Sequence, residues 1–443
     1  MKIALFHNLH PGGAKRALHE QARRLRDRGH TLDGYTLSTA AEGYLPLNLV
    51  CGEVYRYDLE SPDGPRARFL EWLLKQRRLW RFFSGQTRDQ VAIYLDVHRQ
   101  HREQDRLEEL YARMATDIDQ RGYDIAVVHQ CHLSLSPALL RLLKTPTLYY
   151  AQDTLRYVYE WSIIERPDWD AHRNTFYLRH MLGQTYPLPL VFLLRRKERQ
   201  YIASTRAASL VLANSLYSRE ALVRTTGINP HVCYLGVDTE FFCPDPAVVR
   251  EPVVLSVGAL VSNKKHQFII AAVATLPVEQ RPRLRIIGYE YEFGVKALGR
   301  VAKDLLSLAE SLGVDLKIEK EVSDEDLRDA YRSAAVVAFA PQLEPFGFIP
   351  LEAMACETPV VGVSEGGVRE SIEHEVTGLL TGRIPQEFGA ALHRVLTDKA
   401  LASRLAANGR EQALRRWSWE RSVDELEAWS HKAAGATASS RPE

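Results

Sequence analysis

Two glutamates eight positions apart, Glu344 and Glu352, mark the part of this sequence best suited to chemistry, which reads EPFGFIPLEAMACETPVVGVSEGG. Carboxylates in such positions bind the vicinal hydroxyls of a ribose or a hexose. A short apolar run precedes Glu344 and good helix formers surround Glu352, which predicts a strand, a glycine-containing loop and a helix. Loop amides and a helix N-terminus converge in that arrangement and attract phosphate. A sugar nucleotide carries both kinds of group.

Taken alone, two glutamates at this spacing are most often solvated surface, but the string around them is far less common. EPFGFIPLEAMACETPVVG resembles the donor-site signature of the retaining glycosyltransferases of family 4, which have the GT-B fold. The resemblance implies that Glu344 is catalytic and contacts hydroxyls of the transferred sugar, and that Glu352 contacts the ribose. It also assigns four intervening residues to donor binding: Phe346, Gly347, Phe348 and Ile349.

Strands alternate with helices along the chain in two series, which predicts an α/β protein with two doubly wound parallel sheets. The link between the series falls near residues 236–250, where PDPAVVREP carries three prolines. Together with the resemblance, this predicts two Rossmann-like domains facing across a cleft. The expected bounds are 1–240 for an acceptor-binding domain, 241–415 for a nucleotide-sugar-binding domain, 416–434 for a helix crossing back to the first domain, and 435–443 for a flexible tail.

A lysine near the start of the second series is the candidate for neutralising the donor diphosphate. SVGALVSNKKHQFIIAA (256–272) resembles the family's segment in which an arginine and a lysine clamp that group. Lys264 matches the lysine, and we expect it to be catalytic. Ala259 stands where the arginine usually is, so Lys265 or an arginine from elsewhere is expected to replace it. In isolation, a Lys-Lys pair is usually a solvated face.

Three short segments imply further donor contacts. HPGGAKRALHE resembles the family's first loop, where glycines let backbone amides approach a ligand. We assign Gly13 to the donor and Gly12 to the acceptor, although a tight strand-to-helix turn would explain both. IIGYEYE puts Gly288 near the donor pocket, and EVSDEDLRDAY puts Val322 against the nucleobase.

The acceptor is expected in the first domain. TLYYAQDTLRYVYE (147–160) resembles a segment that in many relatives carries a histidine near the donor sugar. Here the position holds Gln152, which hydrogen-bonds but does not exchange a proton near neutral pH. Arg156 and His129 complete the expected acceptor contacts, with His132 a further candidate. A structural role is the commoner one for either histidine.

The chemistry is expected to need no metal and no cofactor beyond the nucleotide-diphosphate sugar, which is the donor substrate. Asp168 and Asp170 have the spacing of a metal-binding pair, but no strand precedes them. The resemblance implies transfer with retention of anomeric configuration, through a transition state of oxocarbenium character. The leaving phosphate would deprotonate the acceptor, because no obvious base stands out.

Composition is that of an ordinary globular protein, with 45% hydrophobic and 26% charged residues. Five scattered cysteines, and no apolar run long enough for a signal peptide or a membrane helix, predict a cytoplasmic location. Residues 1–230 carry a net charge of +8 and the remainder −7. Such opposite signs favour two domains with different partners, and the basic half is too dilute in charge to predict nucleic-acid binding.

Two segments combine basic residues with aromatic or apolar ones, at residues 66–88 and 186–201. Such segments are typical of helices that lie on anionic bilayers, which would place the protein on the inner face of the membrane with a lipid-linked acceptor. The alternative is a core-packed helix with a solvated basic face, and an oligosaccharide or small-molecule acceptor.

Two other functions remain open at this point. A sugar-nucleotide epimerase or hydrolase of the same fold would need a general base, such as His129 or Glu344, facing water. A catalytically silent scaffold subunit is favoured by Ala259 and Gln152 and opposed by the two glutamates. A dinucleotide oxidoreductase is disfavoured because the first turn reads HPGGA rather than G-x-G-x-x-G.

Overall fold

The computed structural model describes residues 1–59, 72, 85–155, 188–289 and 300–435. The chain divides into two compact units. The first unit comprises Met1–Ala213, Glu220–His231 and Glu427–Glu443, and the second comprises Asn214–Arg219 and Val232–Leu426. The chain thus enters and leaves each unit more than once, and the longest run of the second unit begins ahead of the predicted link at residues 236–250.

The first unit is built on a seven-stranded sheet with the order β3-β2-β1-β4-β5-β6-β7. Its strands are β1 (Lys2–Asn8), β2 (Thr31–Leu37), β3 (Val54–Tyr57), β4 (Ile125–Cys131), β5 (Thr147–Ala151), β6 (Leu210–Ala213) and β7 (His231–Val232). β1 pairs in parallel with β2 on one side and with β4 on the other. The strand order therefore reverses between β1 and β4, the position at which open parallel sheets bind ligands beyond the carboxyl ends of their strands.

Successive side chains of a strand point to opposite faces of the sheet. Helices of the first unit cover apolar side chains that these strands present. The helices are α1 (Gly13–Asp27), α2 (Gly85–Gln120), α3 (Leu139–Leu142), α4 (Leu188–Ala207) and α5 (Leu216–Thr226), the last of which begins in the second unit. Phe6 and Val128 share one face and form a buried cluster with Tyr111 and Met114 of α2 and Tyr201 of α4.

The second unit is built on a six-stranded sheet with the order β10-β9-β8-β11-β12-β13. Its strands are β8 (Glu251–Val257), β9 (Arg283–Gly288), β10 (Leu316–Lys320), β11 (Ala334–Phe339), β12 (Val360–Val363) and β13 (Leu379–Thr381). β8 pairs in parallel with β9 and with β11. Here the strand order reverses between β8 and β11.

The second unit's helices bury apolar faces against this sheet. They are α6 (His266–Ala274), α7 (Arg300–Ser311), α8 (Asp324–Ser333), α9 (Phe348–Ala355), α10 (Val368–Ser371), α11 (Pro385–Thr397), α12 (Lys399–Arg416) and α13 (Trp419–Gly435). The core combines Val254, Ile286 and Val336 from the strands with Ile270 of α6 and Leu392 of α11.

The apolar segment HVCYLGVD (231–238) leaves the first sheet after its first two residues. HVCYLGVD forms a strand only at β7, and the rest runs beside the start of α13. A Cβ on Gly236 would lie 2.5 Å from the Trp419 nitrogen, and Val237 makes a single parallel bridge with Ser418. The glycine allows this close approach, and the neighbouring helix takes the place of a partner strand.

The last helix, α13, contributes to both units, with residues 419–426 in the second and 427–435 in the first. Within the first unit, Glu427 accepts hydrogen bonds from Arg28 Nη1 and His30 Nε2, both at 2.8 Å. Trp429 stacks on His231 with ring centroids 3.8 Å apart. These contacts anchor the end of the helix on the first unit.

Candidate active site

Lys264 and Glu344 meet where the strand order of the second sheet reverses. Lys264 ends a 3₁₀ turn that follows β8, and Glu344 lies in the loop that follows β11. Lys264 Nζ donates to Glu344 Oε2 at 2.7 Å, and each side chain is 22% exposed. The two residues predicted to be catalytic are thus in contact at the sheet position that favours ligand binding, with part of each side chain accessible.

Close backbone packing shapes the loop that carries Lys264. Gly258 has a φ of 152°, and a Cβ there would lie 3.5 Å from the Lys264 side chain. Gly288, at the end of β9, makes room for the Gly258 carbonyl, since a Cβ on Gly288 would lie 2.1 Å from that oxygen. Gly288 therefore has a structural reason to be glycine, because any side chain would displace the Lys264 loop.

A buried histidine holds the same loop. Nε2 of His266 lies 3.3 Å from the Gly258 carbonyl and 3.2 Å from the Ala259 carbonyl, and Nδ1 lies 3.1 Å from Ser256 Oγ. Because carbonyls only accept, Nε2 carries the proton and Nδ1 accepts from the serine hydroxyl. Burial lowers the pKa of His266 to about 4, so the ring is neutral near pH 7.

The residue named as a substitute for the missing arginine is Lys265, and an arginine that was not predicted holds the loop of Glu344. Lys265 has a φ of 55° and is buried. Arg383, which sequence reasoning missed, donates to both carboxylate oxygens of Glu365 at 2.9 and 2.7 Å and to the carbonyls of Ala340 and Pro341 at 2.8 and 3.1 Å. It joins the chain after β11 to the chain after β12, and so positions the loop of Glu344. Its partners lie 18 to 43 residues away, and no local motif marks it.

Two glycines that follow β12, Gly366 and Gly367, fix the backbone of Glu344. Gly366 has a φ of 60°, and a Cβ there would lie 2.4 Å from the Glu344 carbonyl oxygen. A Cβ on Gly367 would lie 2.2 Å from the Pro345 carbonyl oxygen, and the Gly367 N–H donates to the Glu344 carbonyl at 2.8 Å. The two loops therefore lie backbone against backbone, which only glycine allows.

The loop leads directly into α9, as predicted. Gly347 precedes the helix with a φ of 91°, and Phe348 and Ile349 form its first turn, where backbone N–H groups have no partner within the helix. Phe346 is buried, with its ring 5.3 Å from Phe348 and 5.8 Å from Trp417. The Phe346 side chain therefore packs in the interior, and the amides of the helix start are the groups suited to phosphate.

Glu352 lies inside α9, as predicted, and is 4% exposed. Its Oε2 accepts a hydrogen bond from the Tyr331 hydroxyl at 2.7 Å, which partly compensates the burial of the carboxylate. Val322 is half-buried just ahead of α8. Ser323 caps that helix, because its Oγ accepts from the Asp326 N–H at 3.0 Å.

In the first unit, Gly12 and Gly13 lie at the start of α1, where Gly12 has a φ of 141°. Lys15, in the first turn, is fully buried and donates to Glu42. Glu42 also lies 2.9 Å from Nε2 of His7. Burial alone would raise the pKa of Glu42, but hydrogen bonds from His7 and Lys15 lower it to about 2. This ion pair, whose lysine is buried and whose glutamate is partly exposed, was missed by sequence reasoning and anchors the helix that follows Gly12 and Gly13.

His129 and Gln152 lie together at the ends of β4 and β5. Gln152 Nε2 donates to His129 Nδ1 at 3.2 Å and lies 3.4 Å from the Ala14 carbonyl. Burial lowers the pKa of His129 to about 3, so the ring is neutral and tightly enclosed. Arg156, the remaining predicted acceptor contact, lies outside the described residues.

The predicted site residues thus fall into one group per unit. Lys264 and Glu344 are in direct contact in the second unit, and Gly12, His129 and Gln152 gather in the first around the start of α1. The comparison with sequence families covers both groups. The profile of Glycosyltransferase Family 4 matches residues 11–241, and the profile of Glycosyl transferases group 1 matches residues 239–412. The chain belongs to glycosyltransferase family 4.

Two named glycosyltransferases are similar to part of this family 4 chain. A D-inositol 3-phosphate glycosyltransferase of Nocardiopsis dassonvillei is 34% identical over 209 residues, 43% of this chain and 47% of that protein. An uncharacterized glycosyltransferase of Methanocaldococcus jannaschii is 32% identical over 173 residues, which is 38% of this chain and 42% of that protein. The chain therefore spans about half the length of the relatives it matches.

Solved structures share the fold over nearly the whole chain. Anabaena HepE in complex with UDP-glucose gives a TM-score of 0.68 at 20% identity, covering 98% of this chain and all of HepE. Sucrose-phosphate synthase from Thermosynechococcus elongatus gives 0.70 at 19% identity, covering 97% of this chain and 98% of the synthase. With its two parallel-sheet α/β units, this family 4 chain has the GT-B fold.

Among the described residues of this family 4 chain, no group of three or more His, Cys, Asp or Glu side chains is arranged to hold a metal ion. Asp168 and Asp170 lie outside the described residues, as does most of the basic segment 66–88. In the second basic segment, Arg196 Nη2 lies 2.5 Å from Asp105 and Lys197 Nζ lies 2.7 Å from Gln100. These two cations therefore contact α2. None of the described helices combines the length and the apolar character needed to cross a bilayer.

Proposed function

We propose that this protein transfers a sugar from a nucleotide-diphosphate sugar to a hydroxyl group of an acceptor, with retention of configuration. The observation that carries the proposal is the partly exposed ion pair of Lys264 and Glu344 at the reversal point of the second sheet. A cation beside a helix N-terminus suits a diphosphate, and a carboxylate beside both suits the hydroxyls of the attached sugar.

In this proposal Lys264 and the amides of Phe348 and Ile349 bind the diphosphate, and Gly13 is assigned to donor binding as well. Glu344 binds the sugar, Glu352 the ribose and Val322 the base. Donor binding replaces the Lys264–Glu344 contact by one between Lys264 and phosphate. The family membership and the placement of Lys264 and Glu344 support these roles.

The donor we propose to test first is a UDP-sugar, because the similar GT-B protein HepE was solved with UDP and with UDP-glucose. The bond from the sugar C1 to the β-phosphate oxygen breaks, and the acceptor oxygen bonds to C1 on the same face. The acceptor proton passes to the departing phosphate oxygen. Lys264 and the α9 dipole stabilise the negative charge that develops there, without a metal ion.

The acceptor is assigned to the first unit, at Gly12, His129, Gln152 and Arg156. Glycolipids, oligosaccharides and small molecules all offer a suitable hydroxyl. Several similar proteins are named D-inositol 3-phosphate glycosyltransferases, but the matched region is about half of each, so a cyclitol phosphate is one acceptor to test among several. We also propose that the protein is cytoplasmic. Its binding to anionic lipid vesicles would test whether it also contacts a membrane.

The proposal is tested first by ligand-induced thermal stabilisation. UDP, GDP, ADP and their glucose conjugates are titrated with and without Mg²⁺. A ligand at a hundred times its Kd stabilises the native state by about 2.7 kcal/mol, which raises the melting temperature by several degrees. We expect one nucleotide to do so without metal, and Lys264→Met to lose most of that shift while Lys303→Met, an exposed lysine of α7, keeps it.

The second measurement is turnover with the stabilising donor, with the product anomer assigned by proton NMR. A product of the donor's own anomeric configuration supports the proposal, and an inverted product contradicts it. Donor consumption at the same rate with and without acceptors would point to a hydrolase. If no nucleotide raises the melting temperature, the proposal fails and a non-catalytic role is favoured.

A further inference from the structure

A cavity of about 140 Å³ lies in the first unit, between α2, α4 and the loop that follows β4. His132, Leu133, Ser134 and Leu135 line it from that loop. The loop leaves the sheet where the strand order reverses, between β1 and β4, so the cavity occupies the ligand-binding position of a parallel sheet. A cavity of ~150 Å³ in another protein admits benzene, so this one has room for a single six-membered ring.

Glutamine side chains of two helices line this space. Gln104 of α2 lines the cavity and is 4% exposed. Gln200 of α4 also lines it; its Nε2 donates to Glu108 at 2.5 Å, whereas its Oε1 is buried and has no hydrogen-bond partner among the described residues. An unpartnered buried acceptor is unfavourable, and a ligand hydroxyl donating to Gln200 Oε1 would remove the penalty.

His132 adds a second acceptor whose protonation is fixed. Its backbone N–H and its Nδ1 both lie within hydrogen-bond distance of the Asn8 carbonyl, at 2.8 and 3.0 Å. A carbonyl only accepts, so Nδ1 carries the proton and Nε2 is left as an acceptor. Burial, with a contribution from neighbouring His10, lowers the pKa of His132 to about 4, so the ring is neutral near pH 7.

The cavity is poorly suited to a negatively charged ligand. Among the described residues that line it, Lys197 is the one cation, and its Nζ already donates to Gln100 Oε1 at 2.7 Å. A phosphate needs several donors, preferably charged, in one place. The described lining instead combines neutral hydrogen-bonding groups with the apolar side chains of Leu133, Leu135 and Leu155. That mixture matches a ring with hydroxyls at its edge and carbon–hydrogen faces.

We propose that this cavity binds a part of the acceptor in addition to the contacts assigned above, and that this part is an uncharged cyclic polyol, a hexose or cyclitol ring that carries no phosphate. The assignment of this ring to the acceptor rests on the proposed function, whereas the binding of the ring itself does not. It distinguishes this chain from a transferase that selects a phosphorylated cyclitol, although similar proteins bear such names.

The test is direct binding without donor, so that it does not depend on turnover. Saturation-transfer NMR and calorimetry are run on the full chain with D-glucose and myo-inositol, and with glucose 6-phosphate and inositol 3-phosphate. Variants Gln200→Leu and Gln104→Leu remove the buried amides. Gln120→Leu, an exposed glutamine at the end of α2, is the matched control. Lys197→Met tests the cation, and UDP stabilisation of each variant reports separately on the second unit.

We expect a neutral ring to bind, Gln200→Leu to weaken its binding roughly tenfold, and Gln120→Leu and Lys197→Met to leave it within about twofold. Exclusive binding of the phosphorylated compounds, or their loss in Lys197→Met, would overturn the proposal. So would an absence of binding by any neutral ring, or full binding in both Gln200→Leu and Gln104→Leu. A failure of UDP to stabilise any variant would contradict the proposed function while leaving the ring-binding result intact.

Discussion

In the proposed mechanism Glu344 contacts the transferred sugar, whereas in the structure it contacts Lys264. Its carboxylate contacts Lys264, the cation that the donor diphosphate also requires. Partly exposed ion pairs of this kind are worth up to about 1 kcal/mol. The contact is therefore strong enough to orient Lys264 and weak enough for a diphosphate to displace.

This competition predicts opposite effects of one substitution on binding and on transfer. Glu344→Gln releases Lys264 and removes a negative charge near the phosphates, so UDP should bind about two- to fivefold more tightly. The same variant loses the charged contact to the sugar, so transfer should fall by at least a hundredfold. Calorimetry with UDP and initial rates with the UDP-sugar measure the two effects.

Glu310→Gln, an exposed glutamate of α7, serves as the control and should change neither quantity. Weaker UDP binding in Glu344→Gln would show that the carboxylate supports the phosphate site rather than competing for its lysine.

Individual site residues were easier to predict from the sequence than the contacts between them. Lys264 and Glu344 each stand in a recognisable local string, but they lie 80 positions apart, and nothing local indicates that they touch. Arg383 and Lys15 escaped notice for the same reason, because their partners are brought close only by the fold.

At the scale of elements, loops that cross close to one another decide the geometry of the site. The chain after β12 lies against the chain after β11 at Gly366 and Gly367, and Arg383 joins the two. Strands buried on both faces and helices with one apolar stripe were predictable from their periodicity. β3, which is short and half-exposed, and α2, whose amphipathic pattern is weak, were not.

Replacing Gly367 by alanine should disturb this crossing. The new Cβ would lie 2.2 Å from the Pro345 carbonyl oxygen, so one of the two loops must move. We expect Gly367→Ala to lower the free energy of unfolding by about 2 kcal/mol or more and to weaken UDP binding at least tenfold. Urea unfolding and calorimetry measure these changes. Gly43→Ala, where nothing lies within 4 Å of the added methyl, should leave both within error; equal behaviour of the two variants would contradict the role given to the crossing.

For the whole molecule, buried neutral histidines are distributed unevenly. Among the described residues, burial lowers the pKa of His7, His129 and His132 in the first unit to between about 3 and 4, and that of His266 in the second to about 4. Between pH 6.5 and 4 these histidines are protonated in the unfolded chain but remain largely neutral in the folded one. The free energy of unfolding therefore falls as the pH falls through that window.

We predict that the first unit loses stability first on acidification. Scanning calorimetry at pH 7.5, 6.5 and 5.5 should show the transition of the first unit moving to lower temperature faster than that of the second. Glu42 extends the loss of stability to lower pH. Its carboxylate has a pKa of about 2, so it stabilises the native state above pH 4.5 and loses this contribution between pH 4.5 and 2. His129→Gln should make the first unit's dependence shallower. Parallel shifts of both transitions, unchanged by His129→Gln, would refute the assignment.

The division of α13 between the units has a consequence for biosynthesis. The first unit begins at Met1, yet Glu427 and Trp429, which contact Arg28, His30 and His231, belong to it as well. A nascent chain can close the first sheet once β7 has left the ribosome and the second once β13 has done so, but the first unit lacks Glu427 and Trp429 until translation has passed residue 429. The unit whose sheet is translated first therefore gains its last contacts only after both sheets have been made, and until then it shares the exposed surface that makes unfinished chains prone to aggregate.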